Sequence, residues 1–215
     1  MAYEWVDCDI DLVRRRYDRI GKLHDVLERL FCVPFHLRQR AVESIGLHPG
    51  DRVLEIGCGT GPNIPLLREA VGPNGIVYGV DLSAGMLAPA RRRTKAWTNV
   101  SLTQGDAVDY SAPEPLDGVL FSFSYNTMPH HRAVLARALA QLRPGGRIVI
   151  MDAKLPPGRA GRLLLPFSVW LMKLTVLGNP HIRPWEHLAP QIVDFSMQEY
   201  LFGSYYVCHG TKPTA

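Results

Sequence analysis

A glycine loop set between a short apolar run and a helical stretch constrains this chain more than any other feature. Arg52-Val53-Leu54-Glu55-Ile56 has the apolar density of a short buried strand. Gly57-Cys58-Gly59-Thr60-Gly61 follows it, and Asn63 to Val71 then reads as a helix closed by Gly72-Pro73-Asn74-Gly75. Glycines lack a side chain and let the backbone approach a ligand closely, while the helix start beyond them turns its free N–H groups toward an anion. Taken alone, such a loop suits either a dinucleotide pyrophosphate or the carboxylate of an amino acid. The nicotinamide-type loop carries its helix directly after G-x-G-x-x-G, and Gly57, Gly59 and then Pro62 break that spacing.

The same grammar repeats downstream. Ile76 to Val80 predicts a strand ending at Asp81, and Ala84 to Arg93 predicts a helix. Asn99 to Gln104, Gly118 to Phe123 and Arg147 to Met151 are three more short apolar runs. Arg132 to Leu142 predicts a helix stopped by Arg143-Pro144-Gly145-Gly146. Strands alternating with helices imply a parallel α/β sheet. Upstream, the apolar spacing over residues 9 to 31 predicts an amphipathic helix, and a second helix is expected from Pro34 to Ser44, before His48-Pro49-Gly50. Past residue 152 the pattern changes at Pro156-Pro157-Gly158. Val193 to Leu201 and Ser204 to His209 then predict a hairpin turning at Phe202-Gly203. At 215 residues and 47% hydrophobic, the chain fits one compact unit.

Several acids and turns fall at related places: Glu55 at the first strand end, Asp81 at the second, Gly105-Asp106-Ala107 after the third, and Leu142-Arg143-Pro144-Gly145-Gly146 before the fifth. Over residues 50 to 152 this combination resembles the class I S-adenosylmethionine-dependent methyltransferases, whose first motif is commonly written E/D-x-G-x-G-x-G. The resemblance implies a Rossmann-like, seven-stranded, mostly parallel sheet with helices on both faces and a C-terminal antiparallel hairpin, and S-adenosylmethionine as cofactor. It also implies roles for individual residues. Gly57 and Gly59, with Cys58 between them, would floor the methionine part, and Glu55 would orient the loop or meet the methionine amine. Asp81 would accept both ribose hydroxyls, Leu82 and Met86 would flank the adenine, and Asp106 with Ala107 would meet its amine and ring edge. Tyr17-Asp18 resembles the element that precedes the core in ubiquinone- and menaquinone-type methyltransferases and in bacterial phosphatidylethanolamine N-methyltransferases. In that group the N-terminal helices close over the cofactor, which implies that Tyr17 shields the sulfonium or contacts the methionine carboxylate. The expected organisation is a single domain over 1–215, with an N-terminal helical lid (1–47), a cofactor-binding core (48–152), an acceptor-side insertion (153–190) and the hairpin (191–215).

The acceptor is less legible. Ser122 to His131 follows the fourth strand, where this family places its methyl-transfer edge, and Tyr125 and His130 are the candidates there for catalytic and acceptor contacts. A core aromatic and a helix cap are the competing readings of those two side chains. Leu163 to Leu177 is nearly all apolar but shorter than the ~20 residues needed to span a bilayer. With Arg159, Arg162, Lys173 and Arg183 nearby it suits an amphiphilic or membrane-resident acceptor, core packing or a dimer contact. Trp170 and Trp185 are read as space fillers. The expectation is methyl transfer to a hydrophobic or amphiphilic small molecule, a phospholipid amine or a quinone-type ring being the named options. A non-catalytic cofactor-binding subunit is the rival of another class.

Charge and cysteines narrow the partners. The net charge of +4 is concentrated in Arg14-Arg15-Arg16 and Arg91-Arg92-Arg93, read as solvated helix faces. With no separate basic domain and no Asn/Asp-Pro-Pro-Tyr edge, a nucleic-acid partner is not expected. Cys8, Cys32, Cys58 and Cys208 are too scattered for a zinc site or a disulfide framework, so no metal is expected. Without a recognisable secretory signal the expected location is cytoplasmic, peripheral contact with the inner membrane surface being an option.

Overall fold

The middle strands lack the alternation of a half-exposed sheet because helices cover both their faces. The computed structural model describes residues 10–20, 35–156, 158–159, 163, 166, 179 and 181–214. Its elements, in chain order, are α1 (Ile10–Ile20), α2 (Phe35–Ile45), β1 (Arg52–Ile56), α3 (Ile64–Val71), β2 (Ile76–Asp81), α4 (Ala84–Thr94), β3 (Val100–Gln104), β4 (Leu116–Ser122), α5 (His131–Gln141), β5 (Leu142–Ala153), α6 (Pro184–Leu188), β6 (Val193–Tyr200) and β7 (Tyr205–Thr211). A short 3-10 turn, Tyr125–Thr127, joins β4 to α5.

The seven strands run in the order β3-β2-β1-β4-β5-β7-β6. β1 to β5 pair in parallel, and β7 is antiparallel to both its neighbours. This is the Rossmann-like mostly parallel sheet with a terminal antiparallel hairpin that the sequence implied. On one face Leu37, Ala41, Val42 and Ile45 of α2 pack with Ile64, Leu67 and Val71 of α3. On the other, Val134, Leu135 and Ala138 of α5 meet Phe121, Tyr125 and Tyr206. Each fully buried Leu or Ile contributes about 1.5–3 kcal/mol, so these two layers hold the sheet. The chain leaves β1 in one direction along the sheet and β4 in the other, which opens a crevice at the carboxyl ends of those strands.

Two boundaries differ from expectation. Arg143-Pro144-Gly145-Gly146 is not a loop but the irregular start of β5, because Gly145 N–H donates to the Lys212 carbonyl (3.0 Å) and Lys212 N–H to that of Gly146 (2.8 Å). The expected first helix is described only over α1; residues 21–31 lie outside the described residues, as does most of 163–177, including Trp170. Trp185 packs edge-on against Tyr206 at 5.1 Å between ring centres and fills space, as expected.

Candidate active site

The crevice is a cavity of about 110 Å³. Its floor is the turn after β1. Gly57 has φ +71°, and a Cβ there would lie 2.4 Å from Ser124 Cβ, so only glycine lets the β1 and β4 ends come together. Ser124 secures that contact by donating its hydroxyl to the Ile56 carbonyl at 2.6 Å. All ten residues implied for the cofactor (Tyr17, Glu55, Gly57, Cys58, Gly59, Asp81, Leu82, Met86, Asp106 and Ala107) line this cavity, and so does His130.

Asp81 ends β2, and its carboxyl accepts N–H groups from Gly59 (2.8 Å) and Ser83 (2.9 Å). Burial outweighs these bonds and raises its pKa to about 6. Glu55 Oε1 accepts from Asn63 Nδ2 at 2.5 Å, and Asn63 Oδ1 accepts from Arg38 Nη1 at 2.9 Å. Asn63 sits at the N-cap of α3 but makes no cap bond, its side chain being engaged in this network. Arg38 also donates to Ser122 Oγ (3.2 Å) and lies over the Phe123 ring. It is 6% exposed, a buried guanidinium on the cavity lining, and such a group suits an anion. Sequence reasoning missed it. The available signal was its place on the apolar stripe of α2, at i, i+3, i+4 and i+7 with Ala41, Val42 and Ile45.

α1 roofs the cavity with Ile10, Val13 and Tyr17, one face of a helix at i, i+3 and i+7. Asp18 fixes the roof. Its carboxylate accepts the Ser83 hydroxyl (2.5 Å) and the Gly85 N–H (3.0 Å) at the start of α4, and the Ser83 bond holds its pKa below the usual carboxylate range. A Cβ on Gly85 would lie 2.7 Å from the Asp18 carbonyl oxygen, so the two helices touch backbone to backbone. Burial raises the Tyr17 pKa, and its hydroxyl bonds to Thr127. Thr127 gives its own proton to the Ser124 carbonyl (2.7 Å), so Tyr17 is the donor.

The two acceptor-side candidates are separated. His130 is at the cavity wall, at the N-cap of α5. Tyr125 is fully buried, does not line the cavity, and packs edge-on against Phe121. Its hydroxyl meets His187 Nδ1 at 3.1 Å, while His187 Nε2 is 3.1 Å from Arg132 Nη2. A guanidinium only donates, so Nε2 is the acceptor and Nδ1–H donates to Tyr125. Burial lowers the His187 pKa, in keeping with this neutral form. The contact ties residues 181–191 to the core.

A methyltransferase domain model matches residues 53–146, the part of the chain that builds this cavity. A demethylmenaquinone methyltransferase of Staphylococcus aureus is 31% identical over 147 residues, 67% of this chain and 61% of that protein. The chain thus spans about three fifths of the length of the curated relatives it matches. Among solved structures, Haemonchus contortus phosphoethanolamine N-methyltransferase 2, in complex with phosphomonomethylethanolamine and S-adenosylhomocysteine, is similar with a TM-score of 0.76 and 17% identity, covering 94% of this chain and 60% of that one. The N-methyltransferase NodS of Bradyrhizobium japonicum with S-adenosylhomocysteine gives 0.69 at 18% identity, covering 94% and 99%. Residues 53–146 thus carry a methyltransferase domain of the class I S-adenosylmethionine-dependent family. Within it, the sequence similarity runs to the menaquinone-type branch and the structural similarity extends to N-methyltransferases.

Proposed function

We propose that this protein moves the methyl group of S-adenosylmethionine to a hydrophobic or amphiphilic small molecule. The observation that carries the reading is the composition of one cavity. Its lining combines the polar groups Glu55, Asp81 and Arg38 with the apolar side chains Ile10, Val13, Phe123, Met128, Pro129 and Val134. The donor supplies a methyl group on a positively charged sulfur, already activated. What remains for the protein is to hold donor and acceptor in line, an effect on the order of 7–11 kcal/mol in effective molarity. In this reading Arg38 receives the methionine carboxylate, Asp81 the ribose hydroxyls and Tyr17 covers the sulfonium, while His130 stands at the acceptor rim.

A quinone-type ring and a phospholipid amine are the two acceptors in view; the menaquinone-type relatives favour the first. A transfer assay with labelled cofactor, run against a lipid extract and a soluble metabolite pool, should place label in the lipid fraction. Label confined to soluble products would overturn the apolar-acceptor reading, and no label in either would favour the non-catalytic alternative. Among the described residues no helix is long and apolar enough to cross a membrane. We place the protein in the cytoplasm with peripheral membrane contact through the basic face of α1. Anionic liposomes should then sediment it in low salt and release it in high salt, and failure to sediment in low salt would remove that contact.

The raised pKa of Asp81 sets a pH dependence. Ribose hydroxyls bond the carboxylate best, so the bound state favours the ionised form and must displace a proton below about pH 6. Cofactor affinity measured by calorimetry should be flat above that value and fall toward about tenfold per unit below it. The empty protein shows the opposite sign. Its folded state binds that proton more tightly than the unfolded chain does, so this group favours folding as the pH falls from about 6 toward 3.8.

A further inference from the structure

Among the described residues the most exposed large apolar side chain is Phe202, at 96%, and Leu201 beside it is 48% exposed. The two form the tip of the β6–β7 hairpin. Their φ angles are +57° and +45°, and the Gly203 N–H closes the turn on the Tyr200 carbonyl at 3.1 Å. In hairpin turns this left-handed backbone is the conformation of Asn and Gly, and bulky side chains rarely adopt it. The chain thus holds two large apolar groups in water on strained backbone, where Asn-Gly would make the same turn at less cost. The base of the turn is fixed. The Lys154 N–H donates to the Ser204 carbonyl (2.8 Å), and Lys154 Nζ meets Glu199 Oε1 at 2.7 Å.

The sheet topology relates this tip to the cavity. β7 is antiparallel to β5, and Tyr205, its first residue, pairs with Ala153, the last of β5. The tip therefore projects beyond the carboxyl ends of the parallel strands, the end that carries the crevice. With strands about 4.8 Å apart, it stands roughly 10–15 Å along the sheet from the end of β4. Aromatic contacts join the two. Phe123 of the cavity lining packs edge-on against Tyr205 at 6.0 Å between ring centres, and Tyr205 pairs with Tyr200, the residue before the tip. All three rings pack against the layer that holds α2. α1, the cavity roof, brings the exposed Arg14, Arg15 and Arg19 to the same end of the sheet.

We propose that Leu201 and Phe202 insert into an anionic lipid layer and hold the cavity-bearing end of the sheet against it; this rests on the apolar-acceptor reading above. Two side chains are too little for a protein partner. A stable interface takes roughly 800 Å² from each side, and one Phe offers about 150–250 Å². A lipid layer needs no matching surface. It takes a protruding Phe and Leu into the boundary between headgroups and acyl chains, while arginines nearby meet the phosphates. Val193 and Phe195, the other exposed apolar residues of β6, lie toward the opposite end of that strand, where Val193 pairs with Thr211, and take no part.

The test is sedimentation of the full chain in low salt with vesicles of phosphatidylcholine and phosphatidylglycerol, wild type against a variant carrying Leu201→Asn and Phe202→Gly. These substitutions supply the residues that the turn's backbone prefers, so Tm should hold or rise and cofactor affinity should stay unchanged. The vesicle partition coefficient should fall about tenfold or more. In Phe202→Trp, the added indole emission should be quenched by lipids with brominated acyl chains. Equal sedimentation of wild type and variant, or an added indole untouched by those chains, would overturn the insertion and leave the basic contact of α1 standing. A wild-type dimer that the variant fails to form, with sedimentation unchanged, would overturn it in favour of a contact between copies. A fall in Tm or cofactor affinity alongside lost sedimentation would overturn it in favour of a structural role. Tip-dependent sedimentation with label confined to soluble products in the transfer assay would sustain the insertion and overturn the acceptor reading instead.

Discussion

Asp81→Ala is expected to abolish measurable S-adenosylmethionine binding in a calorimeter while the protein stays folded. In the function proposed above the carboxylate at the end of β2 accepts both ribose hydroxyls, and hydrogen bonds to a charged group are worth about 1.5–3 kcal/mol each. Losing two corresponds to a weakening on the order of a hundredfold or more. Alanine also leaves the N–H groups of Gly59 and Ser83 without the acceptor that now fixes the loop and the start of α4. Unchanged affinity would remove the ribose assignment.

Gly57→Ala is expected to be as damaging by another route. A left-handed backbone costs a residue with a Cβ roughly 1–2 kcal/mol, and here the added carbon would sit 2.4 Å from Ser124 Cβ and 3.2 Å from Met128 Cε. Relief requires the β4 end to retreat, which breaks the Ser124 bond to the Ile56 carbonyl and widens the cavity floor. We expect Tm to fall by roughly 5 °C or more, taking about 2–4 °C per kcal/mol for a domain of this size, together with at least about tenfold weaker cofactor binding. A variant with wild-type Tm and affinity would show that the β1 and β4 ends do not depend on this contact.

The strands and the cradle were legible because their signals are local. A buried strand, a glycine loop and an acid at the next strand end follow one another in sequence, and their spacing is imposed by the fold they build. Arg38 was not legible because an arginine among apolar residues on a helix looks like a solvated side chain until the helix is docked. Tyr125 shows the converse limit. An aromatic just after β4 faces either the cavity or the core, and only the partnership with His187, 62 residues away, places it in the core. Asp18 was noticed beside Tyr17, yet its grip on Ser83 and Gly85 depends on tertiary contact.

The position of β7 bears on how the chain is made. It is slotted between β5 and β6 and pairs with β5 from Arg147 to Ala153. During synthesis β5 therefore emerges well before the strand that covers its outer edge. Until residue 211 has left the ribosome, β5 of a nascent chain keeps one row of backbone N–H and C=O groups unpaired, the kind of edge that recruits other chains. The last strand of this sheet in chain order closes the outer edge of β5.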